Sequence, residues 1–230
     1  MKITCNTSIL ADACNIVQRG VSQKSTIPAT EGIFMQAKNS RLTLSGYDLE
    51  VGITTVIDCS VEQEGSIVLN SHLLCDILRR LPNDLVSIEI DEHNLCKIHS
   101  GDSEFSLIGI PADDYPELPT VSGGFPFAIK KSILKEMIRQ TIFAVSLQES
   151  RPLLTGINIK INGNVLECVA TDSYRLAKKT IMLDNVHPEN IDIVIPGKNL
   201  MELSKIITFS NNHLVFVINN VNFVFIKYMA

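Results

Sequence analysis

An internal repeat is the feature of this sequence that most constrains its fold. A shift of 124 positions without gaps superposes Ser8-Ile9-Leu10 on identical residues at 132–134. The same shift superposes Asp48 on Asp172. A period of this length indicates that one structural unit is present twice, and each copy has enough residues to form a domain with its own core.

A shorter period lies inside the first copy. Asn6, Leu10 and Asp12 fall on identical residue types 64 positions later in the chain. Each domain is therefore expected to be doubled, so that the chain has four half-units, each with a short strand, a polar break, an amphipathic helix and further strands. The helices are predicted at 7–19, 71–81, 131–144 and 197–208, with Ser, Thr or Asn near the first three starts.

The segments between these helices are rich in Ile, Val, Thr and Leu, as in Arg41–Ser45, and this composition predicts β-strands. The proline-rich residues 110–119, followed by Ser122-Gly123-Gly124, indicate a linker. Together these patterns predict two tandem α+β domains, at residues 1–120 and 121–230.

The composition favours a globular protein. Hydrophobic residues make up 45% of the chain, and no stretch approaches the roughly 18 consecutive apolar residues that a membrane-spanning helix needs. The N-terminal residues Met1–Asn6 lack the apolar core of a signal peptide, so the cytoplasm is the expected location and no membrane contact is predicted. The six cysteines form no C-x-x-C pair, and we expect them to be reduced and buried.

The charge is unevenly distributed. The whole chain carries a net charge of −5, whereas the four predicted helices, with Lys130 counted at the start of the third, together carry +5 and the remaining residues −10. If the helices share one surface, that surface attracts phosphate groups while the rest of the protein repels them. Four separate helices with ordinary solvated faces would give the same totals, so charge alone leaves both interpretations open.

Enzyme and metal motifs are weak in this sequence. His93, Cys96 and His99 could suggest a metal site, but on a strand the two histidines lie on one face and the cysteine on the other. Asp172-Ser173 has no histidine nearby and no G-x-S-x-G context, and the sequence contains no G-x-x-x-x-G-K-[ST] motif. The sequence therefore predicts no catalytic residue, metal or cofactor, and a small hydrolase on a repeat scaffold is a remote alternative.

Several segments in combination resemble the bacterial DNA polymerase III beta subunit family, the replicative sliding clamps. Residues Thr171–Ala177 resemble the family's Thr-Asp-Gly-His-Arg-Leu-Ala segment, and Arg151–Gly156 resemble its Arg-Pro-Ile-Leu-Thr-Gly segment. Residues Ile110–Pro116 are similar to the family's interdomain link, and Tyr47–Glu50 and Lys24–Pro28 fit its pattern too. The match is collinear over essentially the whole chain.

The resemblance implies a DNA clamp fold, in which tandem domains form a closed ring with helices on the inner surface and antiparallel sheets outside. Double-stranded DNA would pass through the centre and be held without reading of its sequence. This predicts a processivity factor with no catalytic chemistry. The residues expected to face DNA, from the resemblance and from helix charge, are Lys24, Arg79, Arg80, Lys131, Lys135, Arg139, Gln148, Lys198 and Lys205.

The resemblance also implies a pocket for short partner peptides. In the family, the polymerase III alpha subunit, the clamp-loader delta subunit and other proteins with a clamp-binding motif insert a peptide that begins with glutamine and ends with leucine-phenylalanine. The positions of this chain that match the pocket are Arg151, Leu154, Thr171, Ser173, Tyr174, Arg175 and Leu176. Ser173 and Tyr174 depart from the family's Gly and His, which puts the peptide preference in question.

Length is the main departure from the family, whose full-length members carry a third domain and form homodimers. This chain is expected to stop before the last strand of its second domain, which would leave an apolar sheet edge unpaired. A two-domain clamp that closes as a trimer and a fragment that forms no ring are the alternatives. If the family geometry holds, the subunit interface of the first domain includes Leu73, Leu74, Ile77, Leu78, Phe105 and Leu107.

Overall fold

The chain divides into two compact units in the computed structural model, domain 1 (Met1–Pro119) and domain 2 (Thr120–Ala230). The structure describes residues 1–119, 125–188, 190–207, 213–218 and 224–228. Each domain combines helices with two antiparallel sheets, so the predicted α+β class is confirmed.

Domain 1 contains two α-helices, α1 (Thr7–Val17) and α2 (Ser71–Leu78), among its described residues. Its strands are β1 (Lys2–Asn6), β2 (Gly32–Lys38), β3 (Arg41–Tyr47), β4 (Gly52–Asp58), β5 (Ser60–Gln63), β6 (Gly65–Asn70), β7 (Leu85–Ile90), β8 (Leu95–Ser100) and β9 (Ser103–Ile108). They form one sheet with the order β5-β1-β7-β8-β9 and a second with the order β4-β3-β2-β6.

Domain 2 follows the same plan. Its helices are α3 (Lys131–Thr141) and α4 (Gly197–Ile206), and its strands in the described part of the chain are β10 (Phe125–Lys130), β11 (Gly156–Asn162), β12 (Val165–Thr171), β13 (Leu176–Met182), β14 (Ile191–Pro196), β15 (His213–Ile218) and β16 (Val224–Tyr228). Its sheets have the orders β13-β12-β11-β14 and β10-β15-β16. Among the described residues β16 pairs with β15 alone, whereas its counterpart β8 has a neighbour on both sides.

The long repeat of the sequence is a repeat of elements. A shift of 124 residues carries β2 onto β11, β3 onto β12 and β4 onto β13 with identical bounds, and it carries the first residue of α1 onto that of α3. At β6 and β14 the shift is 126, because the connection before β14 is longer, and at β7 and β15 it is 128. The gapless identities therefore concentrate in the first half of each domain.

The halves of each domain exchange strands. β1 of the first half pairs with β7 of the second, while β6 of the second half pairs with β2 of the first. Domain 2 repeats this exchange with β10 on β15 and β14 on β11. One core in each domain therefore contains side chains from both halves, and each buried Leu or Ile contributes roughly 1.5–3 kcal/mol to it.

The helices begin where predicted but end earlier. Asn6 caps α1 by accepting hydrogen bonds from the backbone N–H of Ser8 and Ile9 (3.0 and 3.1 Å), and Asn70 accepts one from Leu73 (3.1 Å). The third start differs: Ser132 lies inside α3, and the preceding Lys130 has no side-chain acceptor with which to cap the helix.

Residues 110–119, the connecting segment, are not a free linker, so that prediction needs correction. Ile110 exchanges two backbone hydrogen bonds with Val68 on the outer edge of β6 (2.9 and 3.0 Å). Tyr115 is buried, with its ring centroid 5.3 Å from that of Phe34, and its hydroxyl donates to the carbonyl of Ser45 (3.3 Å). The segment belongs to domain 1, whereas the predicted linker residues 122–124 lie outside the described residues.

Candidate functional site

The tight turn between β12 and β13 forms the centre of the site. Thr171 and Leu176 pair across the mouth of this turn. Inside it, one carboxylate oxygen of Asp172 accepts hydrogen bonds from the backbone N–H of Tyr174 and Arg175, both at 3.0 Å. The Thr171 hydroxyl donates to the carbonyl of Arg175 at 2.8 Å. These bonds fix the backbone from which the next side chains project.

The same turn occurs at the equivalent place in domain 1. There Asp48 accepts hydrogen bonds from the backbone N–H of Glu50 (3.0 Å) and Val51 (2.6 Å). The residue after the aspartate has a positive φ in both turns, 74° at Leu49 and 78° at Ser173. The aspartate therefore has a structural role in both domains, and the side chains after it differ.

Arg175 is held in a defined position on the surface. Its Nε donates to the second carboxylate oxygen of Asp172 at 2.9 Å, and its guanidinium carbon lies 5.9 Å from the centroid of the Phe143 ring. An arginine over an aromatic face gains about 0.5–1 kcal/mol when it is exposed to solvent. Phe143 is exposed and follows α3 directly, but sequence analysis missed it because its position at the end of a predicted helix suggested only packing.

The hydrogen bonds of the turn also shift the pKa of the Asp172 carboxyl group. The backbone N–H of Arg175, the backbone N–H of Tyr174 and the Arg175 guanidinium together lower the pKa of Asp172 below its usual 3.8. Because the pKa of Asp172 is lower in the folded state than in the unfolded state, the carboxylate stabilises the fold fully above the unfolded-state pKa. This stabilisation is lost as the pH falls through the folded-state pKa.

We expect Asp172→Ala to open the turn. Exchange of the Tyr174 and Arg175 amide protons should become about tenfold faster, since both donors lose their acceptor. Amide exchange measured by NMR checks this. Asp48→Ala is the matched control and should affect only its own turn in domain 1. Equal protection of Tyr174 in the wild type and in Asp172→Ala would contradict the assigned role.

A second segment completes the site. Arg151 Nη1 donates to the Ser173 hydroxyl at 3.2 Å, so the serine that replaces the family's glycine gives this arginine a partner. The carbonyl of Leu154 accepts from the backbone N–H of Ser146 at 2.8 Å, which holds the 3-10 turn Pro152–Thr155 beside the end of α3. Leu154 is half-buried, whereas Tyr174 is 99% exposed.

The predicted peptide-binding residues thus lie on two neighbouring segments of domain 2, residues 151–154 and 171–176. Two pairs are joined by direct hydrogen bonds, Arg151 to Ser173 and Thr171 to Arg175. Leu176 is exposed at the start of β13, and Leu153 is exposed in the 3-10 turn. The arrangement presents apolar side chains next to a fixed guanidinium and the hydroxyl groups of Ser173 and Tyr174, which suits a short peptide with both apolar and polar groups.

The surface formed by the helices of domain 1 carries both positively and negatively charged side chains. α1 and α2 pack side by side, and Arg79 bridges them by donating to Asn15 (3.4 Å) and pairing with Asp76 (3.5 Å). Arg80 is exposed at the end of α2, and Lys24 is exposed in the loop after α1. The predicted DNA-facing residues of this domain are therefore all accessible to solvent.

Lys131 in domain 2 differs from the prediction. It is only 5% exposed, so it cannot present its charge to DNA as predicted. The reason is its position: in each of the four α-helices described, the first residue follows a strand directly and is buried, as are Thr7, Ser71 and Gly197. Helix charge counted from sequence cannot separate this position from the exposed ones.

The other cations of α3 and α4 are accessible to different degrees. Lys135 is half-buried and donates to the carbonyl of Ile207 (3.2 Å). Arg139 pairs with Glu136 (2.9 Å from its Nε), and Lys205 pairs with Glu202 (2.6 Å). Lys198 is exposed, as is Gln148 beyond the helix. Glu136 and Glu202, which the net helix charge already includes, thus each pair with a cation of their own helix.

Two of the predicted interface residues belong to the core. Leu74 and Leu78 are buried inside domain 1, since they lie on the face of α2 that packs against the sheets, so they are not available to a second subunit. Leu73 and Phe105 are exposed. Ile77 and Leu107 are partly buried and pack against the same core.

The metal hypothesis gains no support. Within the described residues, no group of three or more His, Cys, Asp or Glu side chains could hold a metal ion. Cys96 is buried between strands, where burial raises its pKa to about 12, whereas His93 is exposed. No helix in the described part of the chain is both long enough and apolar enough to cross a membrane.

Comparison with known proteins identifies the family and the fold. Residues 1–119 match the N-terminal domain of the DNA polymerase III beta subunit, and residues 128–229 match its central domain. The chain belongs to the DNA polymerase III beta subunit family. Members of this family are sliding clamps, which are non-catalytic processivity factors of DNA replication, so the DNA clamp fold is confirmed and no enzymatic activity is assigned.

Individual family members are similar over nearly all of this chain. The beta sliding clamp of Bacillus subtilis is 39% identical over 226 residues, which cover 95% of this chain and 60% of that protein. A Staphylococcus aureus beta sliding clamp is 37% identical over 97% of this chain and 64% of its own length. The chain therefore spans about three fifths of the sliding clamps it matches.

Solved structures agree with the sequence comparison. The sliding clamp of Bacillus subtilis superposes with a TM-score of 0.95 at 38% identity and covers 99% of this chain and 62% of its own. The beta subunit of Streptococcus pyogenes superposes with a TM-score of 0.93 at 30% identity and covers all of this chain and 62% of its own.

Proposed function

We propose that this chain acts as a sliding clamp component that binds replication proteins through the turn 171–176. The observation that carries the proposal is the placement of Arg175, which is fixed between Asp172 and Phe143 beside exposed apolar side chains. A surface arginine held by a carboxylate and a ring loses little conformational freedom when a partner binds. Such a position is typical of an energetically dominant contact.

The partner best suited to this surface is a short peptide with a polar residue and a large apolar end. Leu154 and Leu176 offer apolar contact, while the Ser173 hydroxyl and the Arg175 guanidinium can bond to peptide carbonyl groups. Tyr174 is fully exposed and supplies a ring with a polar tip. On this basis the polymerase III alpha subunit, the clamp-loader delta subunit and other proteins with a clamp-binding motif are the proposed partners.

Double-stranded DNA is the second proposed partner. Exposed cations on or beside the helices support contact with phosphates, and they include Arg79, Arg80, Arg139, Lys198 and Lys205. Contacts to phosphate carry no sequence information, which leaves a clamp free to move along the duplex. A homodimer is the proposed assembly of the full-length clamp, and the cytoplasm is its proposed location.

The test is peptide binding. A fluorescent peptide from the tail of the polymerase alpha subunit should bind the wild type, and Arg175→Ala should weaken it by about thirtyfold, equivalent to about 2 kcal/mol. Leu176→Ala combined with Arg175→Ala should weaken it further, since the apolar contact is lost as well. Fluorescence anisotropy measures both Kd values.

Glu50→Ala gives the matched control, because Glu50 is exposed in the equivalent turn of domain 1. We expect it to leave the Kd unchanged. If a version of the clamp with its third domain bound the peptide equally well with and without Arg175→Ala and Leu176→Ala, the assigned pocket would be wrong.

A further inference from the structure

Four of the six cysteines belong to one part of domain 1. Cys5 lies on β1, Cys14 on α1 and Cys75 on α2, and all three are buried in the core of the domain. Cys59 lies between β4 and β5, packs against the same core and is only partly buried, whereas the other five cysteines of the chain are buried. An accessible thiol therefore borders a group of inaccessible ones.

The backbone places Cys59 directly opposite Cys5. β1 and β5 are antiparallel with Thr4 opposite Ser60, so the next residues along the two segments, Cys5 and Cys59, face each other. Facing residues of an antiparallel pair have their side chains on the same side of the sheet, and both thiols lie on the side of the core. The two side chains are therefore neighbours across the strands.

Backbone hydrogen bonds show which kind of facing pair this is. The N–H of Cys59 donates to the carbonyl of Ser40 at 3.1 Å, away from β1. Thr7, two residues after Cys5, donates to the carbonyl of Asp84 next to β7 at 2.8 Å, and alternate residues of a strand bond to the same side. Cys5 therefore bonds toward β7, and it forms a non-hydrogen-bonded pair with Cys59.

The geometry of such a pair suits a disulfide. In a non-hydrogen-bonded antiparallel pair the Cα atoms are about 4.5 Å apart, and the side chains are closer than in the alternative pairing. Disulfides span Cα separations of roughly 4.4–6.8 Å. A bond between Cys5 and Cys59 therefore requires no movement of the backbone.

Domain 2 has the same two positions without thiols. The shift of 124 residues carries Cys5 onto Ile129 and Cys59 onto Leu183, and the backbone N–H of Leu183 bonds to the equivalent hairpin turn. Ile129 and Leu183 pack in the core of domain 2. The fold needs only apolar side chains at these positions, so the pair of thiols adds a chemistry that packing does not require.

We propose that Cys5 and Cys59 form a redox-modification site, at which hydrogen peroxide or an organic hydroperoxide produces a disulfide. The Cys59 thiolate attacks a peroxide oxygen, the O–O bond breaks, and the leaving hydroxide or alkoxide is protonated to water or an alcohol. The Cys5 sulfur then attacks the sulfenic acid on Cys59, the S–O bond breaks, and the hydroxide leaves with the Cys5 proton as water. The two thiols lose two electrons, which reduce the peroxide. This site goes beyond the proposed function, since it requires neither peptide nor DNA.

Access to solvent fixes the order of the two steps. Cys59 meets the oxidant because it is partly exposed, whereas Cys5 is 5% exposed and needs no solvent access in the second step. Partial burial and the Asp58 carboxylate raise the pKa of Cys59, so its thiolate is a minor species at neutral pH and the first step is slow. Burial, with a smaller effect of Cys59, raises the pKa of Cys5 to about 12. The second step proceeds because the attack is intramolecular, which gives a high effective concentration.

The disulfide ties the outermost described strand of its sheet to the rest of domain 1. β5 has β1 as its partner in that sheet, and the new bond joins β1 to the residue just before β5. The bond also closes a loop in the unfolded chain, which stabilises the folded state. We therefore expect the oxidised domain to unfold at a higher urea concentration, and amide exchange within residues 60–63 to slow at least about tenfold.

The experiment treats the full chain with hydrogen peroxide, blocks the remaining thiols with iodoacetamide and maps peptides by mass spectrometry without reduction. Cleavage before aspartate and after glutamate places the four cysteines on separate peptides, 1–11, 12–31, 58–62 and 65–75. We expect the peptides 1–11 and 58–62 to be joined, with the loss of two hydrogen atoms, and dithiothreitol to separate them again.

Two variants identify the thiols that react. Cys59→Ser should abolish the cross-link, and it should fold because the position is partly exposed. Cys75→Ala is the matched control, since Cys75 belongs to the same group of thiols but is buried. It should leave the rate of cross-linking unchanged. Arg175→Ala, in the other domain, should also leave it unchanged.

Several results would overturn the proposal. One is oxidation of Cys59 to the sulfenic or sulfinic acid while Cys5 stays reduced, and another is a disulfide between the Cys59 residues of two copies. A third is a cross-link of the peptides 12–31 and 65–75 that forms equally in the wild type and in Cys59→Ser. The absence of any cross-link would have the same meaning.

Discussion

Tyr115→Ala is expected to reduce the free energy of unfolding of domain 1 by about 3–5 kcal/mol, the range found when a large buried aromatic residue is truncated. The ring of Tyr115 packs on Phe34 under an apolar cluster, so its removal leaves a cavity and also detaches the connecting segment from the sheet. Urea denaturation followed by circular dichroism measures the loss, and amide exchange localises it to domain 1.

Tyr115→Phe separates packing from hydrogen bonding. It removes the bond to the Ser45 carbonyl and should cost about 1 kcal/mol near neutral pH. Burial raises the pKa of Tyr115 above its usual 10, so the folded state favours the neutral phenol. The stabilisation by the neutral phenol is complete below the pKa of the unfolded state and is lost as the pH rises toward the pKa of the folded state. The wild type should therefore lose stability above pH 10 relative to Tyr115→Phe.

A loss below about 1 kcal/mol in the free energy of unfolding for Tyr115→Ala would mean that the connecting segment adds little to the stability of domain 1.

Gly46→Ala is expected to destabilise domain 1 by about 3 kcal/mol or more, because the added methyl group has no space. A Cβ on Gly46 would lie 2.3 Å from the carbonyl oxygen of Val17 and 2.9 Å from the side chain of Val21. The first of these is backbone at the end of α1, so relief requires the helix to move away from β3. The same denaturation experiment measures this change.

Domain 2 contains the internal control for this substitution. The repeat carries Gly46 onto Ala170, which is buried and accommodates its methyl group. Ala170→Gly should cost only about 1 kcal/mol, through added backbone freedom and a small lost contact. Similar effects of the two substitutions would contradict the view that domain 1 packs its helix more closely on β3 at this point than domain 2 does.

Periodicity alone gave much of the architecture. The equivalence of Asp48 and Asp172 predicted a shared structural role, and both carboxylates accept the same pair of backbone hydrogen bonds. The four helices also begin within the predicted ranges. These features depend on local sequence, in which strand, break and helix follow one another, so a gapless shift detects them.

The features that sequence analysis missed depend on contacts between distant residues. The connecting segment looks like a linker because its prolines disfavour regular structure, but Ile110 pairs with Val68 and Tyr115 fills a site on another strand. Lys131 looks exposed because it is charged, but its position at the junction of strand and helix buries it. Phe143 contacts Arg175 across 32 positions of sequence, a pairing that periodicity does not reveal.

The exchange of strands between half-units has a consequence for synthesis on the ribosome. β1 is the first segment to emerge, but its partners β5 and β7 begin only at Ser60 and Leu85, and β6, the second partner of β2, begins at Gly65. Pairings between such distant segments form late because the intervening chain must close a long loop. Each domain therefore becomes stable only when most of its residues have been made, and until then its apolar strands are unpaired and prone to aggregate.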